Sequence, residues 1–249
     1  MSEQQPASPT LGRGGLLLLY ATVATTGAAV MMLELLGTRI IGPYYGVSLY
    51  VWSSLISVAL IALSLGYYLG GVLADRQPRF RLSYAIAIAG LSAVAIPFIS
   101  RPILLWTNDL GMRGGAFTSA LLLFTVPLTF LGMVGPQVIK MATLRREGVG
   151  VAAGTVFAIS TVGSVAGTLL LGFYLLPELG SRAILFGVSA VLGLLAVVVA
   201  FYDLRRGFDA VGKVALIAAA IGAGLWLKVD EAPLASNDYR LVHEAESHY

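Results

Sequence analysis

Two opposite charges stand five residues apart inside an otherwise apolar run: Glu34 and Arg39, in MMLELLGTRIIGPYYG. A carboxylate at the centre of a membrane helix costs about 2.5 to 3.5 kcal/mol on insertion scales, so Glu34 needs protein, water or a counter-ion beside it. Arg39 is the nearest counter-ion. The pair reads either as a cation or proton site or as a pin between the first helix and the loop after it, and the place of Glu34 near the end of its run favours the pin. Other reactive chemistry lacks its residues. The 249-residue chain has no cysteine, and both of its histidines, His243 and His248, fall in the polar last stretch. That removes disulfides, thiolate metal sites and a cysteine nucleophile, and leaves no histidine for general base work within the apolar part. No Walker loop, GxSxG elbow or HExxH pair occurs. The expectation is a chain with no catalytic residue, no metal ligand set and no bound cofactor of its own.

The elements that must position Glu34 and Arg39 follow from composition. With 57% hydrophobic residues, 12% charged residues and a mean hydropathy of +0.85, the chain cannot bury its apolar surface in one soluble core. Soluble domains carry about 25% charged residues. An all-α polytopic membrane protein is implied, with six apolar runs near 14–36, 49–74, 82–99, 116–139, 150–176 and 183–202. A seventh, 214–227, is short and bounded by Lys213 and Lys228, so it spans only if both lysine stems snorkel to the interfaces. Six to seven transmembrane helices are expected. The chain divides into an N-terminal tail at 1–13, a helix bundle at 14–229, and a linker with a strand-like end at 230–249. A cleaved signal peptide is the weaker reading of the first run, since Arg13 is the single basic residue before it and the run is longer than a signal's apolar core.

Basic residues set the orientation. One set of connections holds Arg13, Arg76, Arg79, Arg81, Lys140, Arg145, Arg146, Arg205, Arg206 and Lys213; the opposite set holds Arg39, Arg101, Arg113 and Arg182, with Lys228 and Arg240 if the seventh run spans. The richer side is cytoplasmic by the positive-inside rule, which puts the N-terminus inside and, for an odd count, the C-terminal stretch outside. The net charge of +3 is thus spent on topology rather than gathered on one basic surface, and no nucleic-acid partner is expected. Tyr44, Tyr45, Tyr50 and Trp52 mark the outer boundary as an aromatic belt, with Pro43 and Gly46 breaking the helix there. The same rings near an external acid are the parts of a cage for an organic cation. Pro127 and Pro136 predict kinks in the fourth run, and Gln137 adds a polar group at its inner end.

Small residues four apart let membrane helices approach closely, and three such pairs occur: Gly66 with Gly70 in the second run, Gly150 with Gly154 and Gly163 with Gly167 in the fifth. GYYLGG at 66–71 and GTLLLG at 167–172 lie in the middle helices of two successive three-helix sets. Two such sets are expected to form inverted repeats. Between the second and third runs, GGVLADRQPRFR at 70–81 resembles the loop motif of the major facilitator family, with Gly71, Asp75, Arg76, Arg79 and Arg81 on its positions and Pro78 where the motif has its second glycine. Asp75 is expected to pair with arginines of the loop or of a neighbouring helix.

Two long stretches carry a more specific resemblance. LGTRIIGPYYGVSLYVWSSLISVALIALSLGYYLGGVLADR at 36–76 and AGTVFAISTVGSVAGTLLLGFYLLPELGSR at 153–182 resemble the membrane half of bacterial proteins that fuse a facilitator-like bundle to a spermidine synthase-like domain. HEAESHY at 243–249 is similar to the opening of that soluble domain, with Ser247 and Tyr249 on the serine and tyrosine of its Ser-x-Tyr-Gln motif. The resemblance implies a multi-pass module of a bacterial cytoplasmic membrane. Its partners would be lipid and a synthase-like domain, in cis or in trans, whose fold passes an aminopropyl group from decarboxylated S-adenosylmethionine to putrescine. The alternative it leaves open is a facilitator-like transporter half, alone or as a homodimer, moving a polyamine or another small cation.

Overall fold

Every described element is a helix, as lipid demands of a chain without a closed barrel, because the hydrocarbon offers no partner to a free backbone amide. The computed structural model describes residues 13–76, 82–143 and 148–203, and no strand occurs among them. The helices are α1 (Arg13–Tyr45), α2 (Leu49–Arg76), α3 (Leu82–Thr107), α4 (Gly111–Gly132), α5 (Val134–Thr143), α6 (Val149–Leu170), the short α7 (Leu176–Glu178) and α8 (Ser181–Asp203). A 3₁₀ turn, Asn108–Leu110, joins α3 to α4, and a π-helical turn, Leu171–Leu175, carries α6 into α7. The seventh run at 214–227, the loop arginines Arg79 and Arg81, and the strand-like end with Ser247 and Tyr249 lie outside the described residues.

Five helical stretches are long and apolar enough to cross a membrane: Gly14–Tyr45, Leu49–Arg76, Leu82–Thr143, Val149–Glu178 and Ser181–Tyr202. The third spans 62 residues and folds back on itself. Thr107 and Ser119, 12 residues apart, hold their hydroxyl oxygens 2.6 Å from each other. In one straight helix they would stand about 18 Å apart. At 1.5 Å per residue α3 and α4 are about 39 and 33 Å long, each enough for a hydrocarbon layer of about 30 Å.

Several helix ends differ from the expected ones. α1 continues through Pro43 and stops at Gly46, whose φ of +74° suits glycine and whose N–H donates to the Gly42 carbonyl at 2.7 Å. Pro43 therefore sits in the last turn and does not break the helix. α3 likewise runs past 99 to Thr107 with Pro97 and Pro102 inside it. Pro127 lies within a continuous α4, whereas the break between α4 and α5 falls at Met133, three residues before Pro136. Pro136 has no N–H to offer the Gly132 carbonyl, so the ladder is interrupted where that bond is missing.

Glycine seams hold the bundle together. Gly66 lies against the Thr129 carbonyl and Gly132, and Gly70 against the Met133 backbone, so the contacts on α2 and α4 advance in the same direction. These two helices run parallel. Gly163 faces the Ala24 backbone and Gly167 faces Ala28, while Ser164 Oγ donates to the Gly27 carbonyl at 3.0 Å. α6 and α1 therefore run parallel too. α3 and α8 are antiparallel, because Gly90 meets Leu192 and Ser189 whereas Phe98, further along, meets the ring of Phe186 at 6.0 Å. Gly37 against Leu55 brings α1 and α2 together on either side of Gly46. Taken together these contacts make α1, α2, α3, α4, α6 and α8 alternate strictly in direction. The chain enters at Arg13 and leaves at Asp203 at one end of the bundle, the Gly148 end; the turns at Gly46, Gly111 and Gly180 form the other, the Gly46 end. Leu33, Leu36, Ile86, Phe124, Leu128 and Leu192 are fully buried between the seams.

Candidate functional site

At the Gly46 end a buried chain of hydroxyls ties three helices. Tyr45, 4% exposed, ends α1 with its hydroxyl 2.8 Å from Thr107 Oγ1 and 3.3 Å from the Leu104 carbonyl, which it meets as donor; Thr107 in turn reaches Ser119 of α4. Space for the Tyr45 ring comes from Gly115, where any Cβ would run into the ring. Tyr45 is therefore not part of the aromatic belt, a correction that depends on a glycine seventy residues away in sequence. Tyr44, Tyr50 and Trp52 are exposed, as a belt requires. Tyr50 already has a cation: Arg113 Nη2 donates to its hydroxyl at 3.0 Å and the guanidinium carbon lies 4.8 Å from the ring centre.

Beside this lock opens a cavity of about 560 Å³. α1 supplies Thr38, Arg39 and Tyr44, α3 supplies Ser100 and Arg101, and the first turn of α8 supplies Ser181 and Arg182. Three arginines and no acid line it. Each is at the same height because each stands close to a turn at this end, at the finish of α1, the finish of α3 or the start of α8. Leu104, Leu176 and Leu185 give it an apolar wall.

Five residues of helix put the Glu34 and Arg39 side chains about 140° apart around the axis of α1. Arg39 lines the cavity, and Glu34, half-buried, does not.

At the Gly148 end Asp75 of α2 binds Lys140 Nζ of α5 at 2.7 Å. The loop arginines Arg79 and Arg81 lie outside the described residues, and among those residues the partner of Asp75 is thus a lysine that sequence reasoning used only for orientation. Its signal was the parallel course of α2 and α4, which carries α5 past the end of α2. The side chains of Lys140 and Asp75 are 49% and 66% exposed, so solvent screening keeps the pair within about 1 kcal/mol. Arg76 ends the last turn of α2, where a cation suits the helix dipole. Gly71 has open space around its Cα; Gly70, its neighbour, is the residue pressed against α4. Gln137, 5% exposed, lies in the first turn of α5, and its Nε2 has no hydrogen-bond partner among the described residues.

The glycine pairs separate into two kinds. Gly66 with Gly70 and Gly163 with Gly167 make the two parallel seams, whereas a Cβ on Gly150 or Gly154 would meet nothing within 4 Å. That pair meets no other helix among the described residues. Among the described residues no group of three or more His, Asp or Glu side chains stands close enough to share a metal ion. Compared with protein-family models, curated proteins and solved structures, the chain has no match.

Proposed function

We propose that the chain is a membrane module of facilitator type, in which residues 13–203 form two inverted three-helix repeats, that holds and serves a spermidine synthase-like domain. One observation carries the repeat: the seam of α6 on α1 has the same form as the seam of α2 on α4. If α1, α2 and α3 correspond to α4, α6 and α8, exchanging the two sets turns the α2–α4 pair into the α6–α1 pair and leaves the α3–α8 pair unchanged. In both seams a glycine and another four residues on meet a backbone that also advances by four. Two units related in this way, each with three crossings, have opposite topology in the membrane.

The basic residues Arg76 and Lys140 at the Gly148 end favour a cytoplasmic position for it. Asp203 would then deliver the following chain to the cytoplasmic face, the compartment in which S-adenosylmethionine-type donors are made. The synthase-like part of the reading rests on the resemblance of residues 36–76, 153–182 and 243–249. A small-cation transporter half is less favoured, because the cavity at the Gly46 end presents three arginines to anything that approaches.

The test joins the chain to the soluble domain its last residues resemble and follows aminopropyl transfer from decarboxylated S-adenosylmethionine to putrescine. Activity that sediments with the membrane fraction is the expected result. No transfer to putrescine or to any other amine would remove the polyamine synthase from the account.

A further inference from the structure

The arginines at the Gly46 end stand on the side that the positive-inside rule leaves poorer in basic residues, so orientation does not account for them. Arg39, Arg101 and Arg182 come from three helices to one cavity, whereas Arg113 lies outside it on Tyr50. Three guanidinium groups around a partly apolar cavity with no acid in its lining make it attractive to an anion. Thr38, Ser100 and Ser181 line the same space, and the first turn of the 23-residue α8, with Ser181 and Arg182 on the lining, contributes the positive end of its dipole. A volume of about 560 Å³ lies within the range of small-molecule sites, roughly 300 to 1,000 Å³. The wall of Leu104, Leu176 and Leu185 suits the organic part of a ligand whose charged head meets the arginines.

We propose that this cavity binds a phosphate group. Guanidinium forks match phosphate oxygens two at a time, and Arg101 and Arg182 supply such forks from two different helices. The group arrives either on a lipid headgroup, since the cavity lies at the level where helices meet the interface, or on a soluble phosphate ester. The site is separate from the synthase-like reading and stands without it.

The full chain in phosphatidylcholine nanodiscs is titrated with inorganic phosphate by calorimetry, and retention of phosphatidic acid is measured in nanodiscs doped with that lipid. Phosphate binding identifies a soluble source; retention of phosphatidic acid without phosphate binding identifies a headgroup. In either case Arg101→Gln and Arg182→Gln each weaken binding by about tenfold or more, the loss of one charge-assisted contact, while Arg113→Gln leaves it unchanged. Val47, 75% exposed and on the cavity lining, is the check against misfolding: Val47→Glu removes no packing and sets an acid beside the arginines, so it too weakens binding. The proposal fails if neither probe binds the unmodified chain more tightly than the Arg101→Gln, Arg182→Gln double variant, or if Arg113→Gln has the same effect as the cavity variants.

Discussion

Gly163→Leu abolishes recovery of folded, monodisperse chain from the membrane, while Gly154→Leu on the same helix leaves it intact. The two glycines lie on one helix, yet a Cβ at position 163 would press into the Ala24 backbone whereas one at 154 would meet nothing within 4 Å. Backbone cannot rotate away as a side chain can, so even Gly163→Ala forces α6 off α1 at a cost of about 1 to 3 kcal/mol, and leucine adds several methylenes to the same clash. Without the close approach the Ser164 to Gly27 hydrogen bond of 3.0 Å is lost as well. Gly66→Leu repeats the effect in the other seam, against the Thr129 carbonyl. Size-exclusion profiles in mild detergent, with thermal unfolding of the alanine variants, read both. Equal yields for the 163 and 154 leucine variants would mean that the α1–α6 seam does not exist.

Thr107→Val has the second largest effect, because the change is nearly isosteric and removes only the hydroxyl at the centre of a buried network. Thr107 is fully buried, and its oxygen lies 2.8 Å from the Tyr45 hydroxyl, 2.6 Å from Ser119 Oγ and 2.8 Å from the Ile103 carbonyl to which it donates. Valine leaves the other two hydroxyls with one fewer partner in a water-poor site, at a cost of about 1 to 3 kcal/mol. In Tyr45→Phe, by contrast, Thr107 keeps both Ser119 and the Ile103 carbonyl, so that variant strands no hydroxyl and costs less than Thr107→Val. The order of the two unfolding temperatures checks the arrangement; the reverse order would place Tyr45 rather than Thr107 at the centre of the network.

Much of the bundle was legible because lipid makes long apolar runs unambiguous: the six expected runs fall on α1, α2, α3, α4 with α5, α6 with the turns after it, and α8. Helix ends were less so. Pro43 reads as a helix breaker in sequence but lies inside α1, as Pro97 and Pro102 lie inside α3, since neighbouring helices can meet the backbone groups that proline frees. Spacing identified Gly66, Gly70, Gly163 and Gly167 as packing residues, yet the same spacing at Gly150 and Gly154 meets no other helix among the described residues. A four-residue interval fixes a common helix face but not what that face meets. Tyr45 was read with its neighbours as part of a belt, because nothing local distinguishes the ring that Gly115 admits from those left in lipid. The arginine cavity was hidden for a related reason: Arg39, Arg101 and Arg182 come together only once alternating helices bring the finish of α1, the finish of α3 and the start of α8 to one end.

That alternation is the central claim, and the absence of cysteine from the sequence gives a clean background for testing it. Single cysteines at the exposed positions Val47, Met112, Glu178, Val149 and Tyr202 are labelled in sealed vesicles with a membrane-impermeant maleimide. Six crossings require Val47→Cys, Met112→Cys and Glu178→Cys to react from one side, and Val149→Cys and Tyr202→Cys only from the other. Reaction of Met112→Cys from the same side as Val149→Cys would make α3 and α4 a re-entrant hairpin, and the inverted repeat would fall with it.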